Sequence, residues 1–549
     1  MVCVSHKRSN TGTRMSGTLY FGDNLDVLRE HVRDESVDLI YLDPPFNSAA
    51  SYNVLFKTTD GKKSQSQITA FEDTWHWSES SELAFDETMR SGRTTVANVL
   101  RALRQCLGEN DVMAYLAMMT VRLIELSRAL RPSGSIYLHC DPTASHYLKV
   151  IMDSIFAPHN FQNEVIWKRH SAHNSTKRYG PIHDTLLFYS KGSKFTWNPV
   201  RLDYDPEYLD KYYKYDDGDG RLYWRNSITA AGTRNGSSGR VWKGFDPTSN
   251  GSHWKFTTEN LDTLDASGKI YWPSNGGWPQ IKRYRDELKG LSVSDVWDDI
   301  DKINPAGKER LGYPTQKPVA LLDRIISASS NSGELVLDPF CGCGTTVHAA
   351  QKNNRRWIGI DITPIAVNLI SRRLKEAFAG VDFNVRGIPR DMDGARELAF
   401  RDKHLFQLWA CDLVDAQPFR DGKKGADGGI DGLIYFKPDG KTTKAAVVSV
   451  KGGAHVERAH IGQLRGTMER LGEPMGIFVT LTPPTAPMVK EAASAGLYDT
   501  GTHRVPRIQI LTAEQLLAGE KPRLPFGHNT SYRKADREKD KGAQFGLEI

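Results

Sequence analysis

Apolar, strand-like runs alternate with amphipathic stretches in two parts of the chain. In the first part, from residue 17 to about residue 190, the strand-like runs are SVDLIYLD, GSIYLHCD and HDTLLFYSK. The segment DVMAYLAMMTVRLIELSRALRPSG has the period of an amphipathic helix, which we expect Pro132 and Gly134 to end. The alternation returns at KPVALLDRII and continues to about residue 390. Because strands that alternate with helices form parallel sheets covered by helices, the pattern predicts an α/β fold.

A segment of different composition, at about residues 195–305, separates these two parts. Seven of the twelve tryptophans of the chain fall within it, among Tyr, Gly, Asn, Lys and Arg residues, and its helical periodicity is poor. We interpret the segment as an inserted, loop-rich module. Its rings and polar side chains could read base edges and phosphates, or they could form a compact aromatic core.

The length of 549 residues is too great for one ordinary hydrophobic core, so we expect more than one domain. The expected segments are a flexible arm at residues 1–16, a first domain at 17–390, a charged linker at 391–400, a smaller α/β domain at 401–525 and a polar, disordered tail at 526–549. A linker of this kind would let the two domains fold independently.

Composition and charge narrow the class of protein. Hydrophobic residues make up 39% of the chain and charged residues 25%, which is ordinary for a globular protein. The net charge of +6 is compatible with a nucleic-acid partner but does not establish one. The six cysteines are scattered, as in a reduced intracellular protein, and the sequence has neither an apolar run of membrane-spanning length nor a secretory signal. We therefore expect a cytoplasmic protein.

The stretch ELVLDPFCGCGTT has the pattern of a strand, a tight glycine loop and the start of a helix. Gly342 and Gly344 would let the backbone approach a ligand, beside the free N–H groups of the helix N-terminus. A second strand ends on Asp361, 23 residues after Asp338, and an acid about 20 residues beyond a glycine loop reaches ribose hydroxyls in dinucleotide folds. A carboxylate at Asp338 suits an amine or a sulfonium, which indicates S-adenosylmethionine. The alternative is a glycine turn without a ligand.

The stretch VDLIYLDPPFNS joins an apolar strand to an acid and a diproline, which neither a central strand nor a helix interior tolerates. Asp43 and the carbonyl oxygen of Pro44 could each accept an N–H bond from an exocyclic base amine and draw its nitrogen toward sp³. Pro45 adds a second fixed φ angle, and Phe46 offers a flat face on which a flipped base stacks. The pattern predicts a rigid amine-binding site. The alternative is an ordinary turn after a proline-terminated strand.

The two motifs Asp-Pro-Phe-x-Gly-x-Gly-Thr and Asp-Pro-Pro-Phe together resemble those of amino-methyltransferases from bacterial DNA modification systems. The order of catalytic half, inserted module and cofactor half is similar to that of the beta class, and the resemblance covers about residues 17–390. It implies a Rossmann-like, S-adenosylmethionine-dependent methyltransferase fold. It also implies that the inserted module recognises the target sequence in double-stranded DNA.

The same resemblance assigns residues to the cofactor. It places Asp23, in GTLYFGDNLDVL, beside the cofactor adenine, and it makes YPTQKPVALLDRII the segment that closes over the methionine moiety. The implied cofactor-binding residues are Asp23, Thr315, Gln316, Lys317, Asp338, Pro339, Phe340, Gly342, Gly344, Thr345 and Asp361.

The resemblance also bears on the target base. In the family, Asp-Pro-Pro-Phe is commoner with adenine N6 and Ser-Pro-Pro accompanies cytosine N4, so we expect adenine N6, with cytosine N4 as the alternative. Methylation of cytosine C5 needs a cysteine nucleophile, usually after proline, and the sequence has no Pro-Cys dipeptide. Cys341 and Cys343 lack a second Cys or His pair at zinc spacing, so we expect no metal there.

The second domain contains KKGADGGIDGLIYF and KAAVVSVKGG, which place Asp431 at a glycine-rich turn and Lys451 at the end of a β run. A carboxylate and a lysine from neighbouring strands could hold Mg²⁺ and activate water for phosphodiester cleavage. The pair resembles the motif of the PD-(D/E)xK nuclease superfamily, in particular the Mrr-like restriction endonucleases.

This second resemblance has departures. Ser449 stands where the superfamily has Glu, Asp or Gln, and Gln407 stands where many relatives have Glu. Asp427 could be a further ligand or only a turn former. Because loss of acidic ligands weakens metal binding, two alternatives stay open: a nuclease with Mg²⁺ on Asp431, or a nuclease-like fold that binds DNA without cutting it.

The sequence as a whole predicts a site-specific DNA amino-methyltransferase of a restriction–modification or defence system, joined to a nuclease-like domain. The alternatives are a bifunctional enzyme that also cleaves DNA, a non-catalytic DNA-binding protein, and a methyltransferase acting on RNA or protein. DNA is the expected partner. Restriction or defence subunits and a second copy of the chain are further candidates.

Overall fold

The structure is a computed structural model of the chain. It describes residues 16–45, 77–169, 179–304, 307, 309–311, 316–419, 429–439, 442–501 and 503–525, together with the backbone of residues 51–54 and 68–72. The chain divides into two compact units, residues 1–198 with 295–549, and residues 199–294.

Strands and helices alternate from the start of the first unit. They are β1 (Gly17–Phe21), α1 (Asn24–His31), β2 (Val37–Leu42), β3 (Ser51–Val54), β4 (Ile68–Glu72), α2 (Glu79–Arg90), α3 (Thr94–Leu107), α4 (Asp111–Ala129), β5 (Leu130–Cys140), α5 (Ser145–Phe156), β6 (Phe161–Lys168) and β7 (His183–Ser190).

The second unit has short elements joined by long loops. They are β8 (Arg201–Leu202), α6 (Pro206–Tyr212), β9 (Tyr223–Ser227), β10 (Thr229–Ala231), β11 (Ser252–Trp254), α7 (Thr258–Ala266), β12 (Ile270–Tyr271), β13 (Gln280–Tyr284) and β14 (Leu291–Ser292).

The chain then returns to the first unit. The elements up to residue 390 are β15 (Val296–Trp297), α8 (Val319–Ser329), β16 (Leu335–Asp338), α9 (Thr345–Lys352), β17 (Arg356–Asp361), α10 (Pro364–Ala377) and β18 (Phe383–Arg386). Those that follow are α11 (Met392–Arg401), α12 (Lys403–Leu413), β19 (Gln417–Pro418), β20 (Gly432–Phe436), β21 (Lys444–Lys451), α13 (Arg458–Leu471), β22 (Met475–Thr480), α14 (Ala486–Ser494), β23 (Leu497–Asp499), β24 (Arg504–Pro506), β25 (Ile508–Thr512) and α15 (Ala513–Leu517).

A nine-stranded sheet in the order β15-β6-β7-β5-β2-β16-β17-β1-β18 forms the centre of the first unit. Its strands pair in parallel, except that β7 is antiparallel to both β5 and β6. Strand β2 is buried at every position, as expected for an apolar strand in the middle of a sheet covered on both faces. The predicted α/β fold with a parallel sheet is confirmed.

Helix α4 ends at Ala129, and not at Pro132 and Gly134 as the sequence predicted. Strand β5 begins at the next residue and shifts its register against β2 over this stretch. Pro132 lies in that irregular part of the strand, where a missing N–H is tolerated. A Cβ at Gly134 would lie 2.9 Å from the carbonyl oxygen of Asp38, so the close approach of two strands accounts for this glycine.

The second unit, residues 199–294, has its own small core. Its largest sheet is three-stranded and antiparallel, in the order β12-β13-β9. Two of its tryptophans are buried in a cluster with aliphatic residues: Ile228, Trp242, Trp254, Leu261, Ile270 and Ile281. Aromatic residues of this unit therefore contribute to its core, while Trp272 and Trp278 remain more than one-third exposed.

A second sheet, in the order β19-β20-β21-β22-β25, follows α12. Strand β21 pairs antiparallel with β20 and parallel with β22, which in turn pairs parallel with β25. The core on one side of the sheet includes Val447, Ile461, Leu464, Phe478 and Met488, from two strands and the helices α13 and α14. This is the smaller α/β fold predicted for the C-terminal part.

The charged linker expected at residues 391–400 is the ordered helix α11. Ala395, Leu398 and Ala399 have the spacing of one apolar helix face, and all three are buried. Helix α11 packs against α12 and α15, and its buried face also meets the residue after β21, since a Cβ at Gly452 would lie 3.2 Å from the Cβ of Ala399. The charged residues that suggested a linker occupy the other faces of the helix.

The two sheets also meet through their helices. Asn368 of α10 donates a hydrogen bond from Nδ2 to Oδ2 of Asp412 on α12 (2.8 Å). Burial raises the pKa of Asp412 to about 6. Among the helices of the described residues, none is long and apolar enough to cross a membrane.

Candidate functional site

Four acidic residues lie at the carboxyl edge of the nine-stranded sheet. Asp43 follows β2, Asp338 ends β16, Asp361 ends β17, and Asp23 lies just beyond β1. The four strands are adjacent and parallel, in the order β2-β16-β17-β1, so their carboxyl ends meet at one edge. The sheet thus brings the predicted catalytic acid and the predicted cofactor acids together from distant parts of the chain.

The loop between β16 and α9 is shaped by two of these carboxylates. Asp338 Oδ1 accepts a hydrogen bond from the backbone N–H of Phe340 (2.9 Å), and Asp361 Oδ2 accepts one from that of Gly342 (2.8 Å). The other oxygen of Asp361 accepts hydrogen bonds from the backbone N–H and the hydroxyl of Thr363, both at 2.8 Å. The loop is therefore fixed before α9 begins.

Both glycines of the loop have left-handed backbone conformations, with φ of 53° at Gly342 and 77° at Gly344. A Cβ at Gly344 would lie 2.7 Å from Cγ1 of Ile370 on α10. On the same helix, Arg373 donates to the carbonyl oxygen of Cys343 (3.0 Å). The sequence assigned Gly344 to close ligand approach; the structure shows that its small size also lets α10 pack against the loop.

Burial and mutual repulsion perturb the acids at this edge. Burial, together with the negative charges of Asp43 and Asp361, raises the pKa of Asp338 to about 7, although hydrogen bonds from Thr346 and Phe340 oppose the shift. Burial also raises the pKa of Asp361 to about 6. A positively charged ligand would offset this repulsion, so the acids fit the sulfonium and amino groups of S-adenosylmethionine.

Two residues that the sequence did not single out, Asn24 and Arg122, connect Asp23 to the loop. Arg122 on α4 is 5% exposed, lies 3.2 Å from each carboxylate oxygen of Asp23, and donates from Nε to Oδ1 of Asn24 (2.7 Å). Asn24 donates from Nδ2 to the carbonyl oxygen of Pro339 (2.9 Å). The signal that could have identified Arg122 is a charged residue inside an otherwise apolar helix, because buried charges need partners.

Asp43 forms an ion pair with Lys317, in which Lys317 Nζ contacts Asp43 Oδ2. The two side chains are only 16% and 13% exposed. Pro44 is buried and Pro45 partly so. Phe46 lies outside the described residues, so its stacking role stays a prediction.

The remaining residues of the Thr-Gln-Lys segment are placed differently. Gln316 accepts a hydrogen bond from the N–H of Leu311 (2.8 Å) and donates one to the carbonyl oxygen of Glu309 (2.8 Å). The carboxylate of Glu309 accepts from the N–H of Val319, at the start of α8 (2.6 Å). Thr315 lies outside the described residues. The described hydrogen bonds of Gln316 are with the backbone of Glu309 and Leu311, and its cofactor role stays a prediction.

A chain of buried polar groups begins on β2. The hydroxyl of Tyr41 is 2.8 Å from Nδ1 of His139, and Nε2 of His139 is 3.1 Å from Oδ2 of Asp184. Oδ1 of Asp184 pairs with Arg169 at 3.1 Å. Burial opposes ionisation of Asp184, but the hydrogen bond from His139 and the positive charges of Lys317 and Arg169 hold its pKa below the ordinary value. The chain links β2, β5 and β7 at their ends nearest the acids.

The two cysteines of the loop lie in the protein interior. Cys341 and Cys343 are buried, and burial raises the pKa of both thiols. Among the described residues, no group of three or more His, Cys, Asp or Glu side chains is arranged to hold a metal ion.

The second sheet brings the predicted nuclease residues close to one another. Asp431 directly precedes β20, and its Oδ2 accepts a hydrogen bond from the N–H of Val450, the residue before Lys451 (2.6 Å). Ser449 is 4% exposed on the same strand. Gln407 lies on α12, partly exposed. Asp427 lies outside the described residues, so its predicted role is not placed.

A comparison with models of protein families identifies both parts of the chain. Residues 37–372 match the model of a family described as DNA methylase. The chain belongs to this DNA methylase family. Residues 401–517 match a second model, described as restriction endonuclease. The two resemblances read from the sequence, and the predicted DNA methyltransferase function, are confirmed.

Curated relatives agree with this membership. The type II methyltransferase M.EcaI of Enterobacter cloacae is 34% identical over 65% of this chain and 68% of its own length. The StyLTI Mod subunit, of a type III restriction-modification enzyme of Salmonella typhimurium, is 28% identical over 61% of this chain and 49% of its own length. The DNA adenine methyltransferase YhdJ of Escherichia coli is 46% identical over 15% of this chain and 28% of its own length.

A solved structure of similar type is that of a DNA modification methylase from Thermus thermophilus, TTHA0409, complexed with S-adenosyl-L-methionine. It is 17% identical to this chain, covers 67% of it and 99% of its own length, and has a TM-score of 0.33.

The packing at Gly344 predicts a specific destabilisation. Gly344→Ala places a side chain at a left-handed position and against Ile370, and each effect costs roughly 1–3 kcal/mol. Gly333→Ala is the matched control, because Gly333 has a φ of 81° but its Cβ would meet nothing within 4 Å. We expect Gly344→Ala to lower the denaturant midpoint of the full chain more than Gly333→Ala does. This difference between the two decreases in midpoint should disappear in an Ile370→Ala background. Equal decreases in midpoint for both glycine variants would contradict the packing account.

The raised pKa of Asp338 predicts that cofactor binding depends on pH. Since the carboxyl is protonated below pH 7 in the free protein and a cationic ligand favours the carboxylate, affinity for S-adenosylmethionine should rise as the pH increases through about 7. Binding near that pH should release a proton. Titration calorimetry from pH 6 to 8, in buffers of different ionisation enthalpy, measures both effects. Asp338→Asn should remove the change centred near pH 7 and leave only that of Asp361 near pH 6. A flat wild-type profile without proton release would refute the assignment.

Proposed function

We propose that the protein methylates the N6 amine of adenine within a specific sequence of double-stranded DNA, with S-adenosylmethionine as methyl donor. The single observation that carries this is the placement of Asp43, at the end of β2, beside Asp338 and Asp361 of the neighbouring strands. An amine acceptor and acids suited to a sulfonium thereby share one edge of the sheet.

The chain's own residues would act on the amine as follows. Asp43 accepts one N–H bond of the base and the carbonyl oxygen of Pro44 accepts the other, which concentrates the nitrogen lone pair. The diproline holds both acceptors in fixed positions, so little reorganisation is needed during the reaction. The charge of Asp43 also stabilises the positive charge that develops on the nitrogen as it is alkylated.

The cofactor, when bound, supplies an electrophilic methyl group on a sulfonium. Asp338 and Asp361 would hold its positively charged and ribose parts, and the loop between them would supply backbone N–H groups. Asp23, fixed by Arg122, would lie at the adenine end of the site. The raised pKa of Asp338 supports this assignment, because that acid gains from a cationic neighbour.

The choice of adenine rests on two observations. The Asp-Pro-Pro-Phe motif favours it by resemblance, and one relative, YhdJ, is named as a DNA adenine methyltransferase. Cytosine N4 is the alternative, since its amine would suit the same acceptors.

The unit of residues 199–294 is the proposed target-recognition module. It lies in the sequence between the catalytic and cofactor halves. Trp272 and Trp278 remain partly exposed. Cζ of Arg225 lies 3.7 Å from the ring centroid of Tyr215 and 3.6 Å from that of Tyr271. Such rings and cations are suited to contact DNA. Mod subunits among the relatives suggest restriction-system subunits as partners of this chain, and a second copy of the chain is a further candidate.

The first prediction for this function concerns Asp43. Asp43→Asn keeps the shape of the side chain but removes the charged acceptor, so methyl transfer should fall by about 10²–10³-fold or more. Nucleoside mass spectrometry of DNA incubated with each protein measures N6-methyladenine and N4-methylcytosine separately. Asp86→Asn, at a partly exposed acid on α2 that pairs with Arg90, is the control and should behave as wild type. Near wild-type methylation by Asp43→Asn would refute the role of Asp43 as amine acceptor. Detection of N4-methylcytosine without N6-methyladenine would show that the target base is cytosine.

A second candidate function, DNA cleavage, is favoured by the match of residues 401–517 to the restriction endonuclease model and by the closeness of Asp431 to the end of β21. Asp431 would be the Mg²⁺ ligand and Lys451 its cationic partner. Buried Ser449 supplies no charge for a metal, so we propose that cleavage is slow.

This candidate predicts slow nicking of unmethylated plasmid by the wild type with Mg²⁺, and none by Lys451→Ala. Methylation should persist in the variant, because Lys451 belongs to the second sheet. Lys490→Ala, at an exposed lysine of α14, is the control and should nick as wild type does. Robust nicking by Lys451→Ala would show that the cleavage site is elsewhere. Absence of nicking by all three proteins would leave the domain a role in DNA binding alone.

A further inference from the structure

Lys317 contacts a residue that its sequence motif does not suggest. The Thr-Gln-Lys segment was assigned to the cofactor, yet Lys317 Nζ pairs with Oδ2 of Asp43, 274 positions earlier in the chain. Both side chains are mostly buried, so the pair is not one of the exposed contacts that solvent and salt weaken.

The backbone that carries Lys317 is fixed on both sides. The side chain of Gln316 hydrogen-bonds the backbone of Glu309 and Leu311, and the carboxylate of Glu309 caps the first N–H of α8. The ammonium is therefore presented from a defined position, as required of a group that orients another.

The charge of Lys317 also affects a second buried acid. Asp184 is fully buried, and the positive charge of Lys317 contributes to its lowered pKa. Asp184 is in turn held by His139 and Arg169, and His139 by the hydroxyl of Tyr41 on the catalytic strand. Lys317 therefore lies near a polar network that reaches back to β2, the strand that Asp43 follows.

The ion pair involves one oxygen of Asp43. It occupies Oδ2, while none of the described residues forms a hydrogen bond to Oδ1. A carboxylate held by one oxygen is fixed in its rotation, and the other oxygen then has a set direction for an incoming N–H donor.

We propose that Lys317 is a positioning residue for Asp43: its ammonium fixes Oδ2, so that Oδ1 faces the amine of the target base. This inference rests on the proposed function, in which Asp43 is the amine acceptor. It also means that the part of the chain after the inserted unit contributes to the amine site and not only to the cofactor site.

The test compares Lys317→Gln and Lys317→Arg with a matched control. Lys352→Gln removes the cation of another half-buried pair, Lys352 with Asp323 (2.8 Å), on helices α9 and α8. Single-turnover methyl transfer at saturating cofactor gives the rate, calorimetry gives the affinity for S-adenosylmethionine, and thermal unfolding reports on folding.

We expect Lys317→Gln to lower the methyl-transfer rate by about 10²-fold, as for a reacting group that is misplaced. Cofactor affinity should stay within about threefold. Lys317→Arg, which keeps the charge, should recover part of the rate, and Lys352→Gln should lose stability without losing rate. In an Asp43→Asn background, Lys317→Gln should have little further effect, because the two residues act as a unit.

Four outcomes would overturn the inference. Wild-type rate in Lys317→Gln shows that Asp43 needs no such partner. Full rate at saturating cofactor with affinity at least tenfold weaker makes Lys317 a cofactor ligand, as the motif suggested. If Lys317→Gln fails to fold, Lys317→Arg takes its place in the test. Weakened cofactor affinity with an unchanged methyl-transfer rate in Lys317→Arg would likewise make Lys317 a cofactor ligand. If Asp43→Asn itself methylates at the wild-type rate, the proposed function fails and this inference fails with it. If Asp43→Asn loses methyl transfer while Lys317→Gln keeps the wild-type rate, only the role of Lys317 is overturned.

Discussion

Repulsion between acidic side chains at one edge of the sheet is the constraint on which the site depends. Parallel pairing of β2, β16 and β17 places Asp43, Asp338 and Asp361 at the same edge, in surroundings where burial disfavours charge. The repulsion is partly offset because the loop donates backbone N–H groups to the acids. Lys317 and Arg122 also bring positive charge from elsewhere in the chain. The remaining negative charge is what suits the edge to a cationic cofactor.

Two separate parts of the sequence supply the residues at this edge. The first part supplies β2 and Asp43, and the part after the inserted unit supplies the glycine loop and Lys317. Helix α10 connects the loop with the second sheet, since Arg373 binds the loop and Asn368 binds Asp412 on α12. The methylase and endonuclease-like parts are therefore in direct contact, with an ordered helix at 392–401 where independent folding had been expected.

The sequence predicted what a short stretch of chain contains: the α/β alternation, the strand-loop-helix around Asp338, and the strand that ends at Asp43. It did not predict contacts that depend on which strands and helices become neighbours. The pairing of Lys317 with Asp43 and the packing of Ile370 on Gly344 are of this kind. Helix α11 was missed for another reason, because its three small or apolar buried positions are outnumbered by charged residues in the sequence.

The most direct test of the account is a crystal structure of the enzyme with a duplex that contains its target and a non-reactive analogue of S-adenosylmethionine. The account predicts a flipped base whose exocyclic amine lies within hydrogen-bonding distance of Asp43 and of the carbonyl oxygen of Pro44. It further predicts the cationic part of the cofactor beside Asp338. A base bound away from Asp43, or a cofactor whose positive charge lies away from the acidic edge, would contradict it.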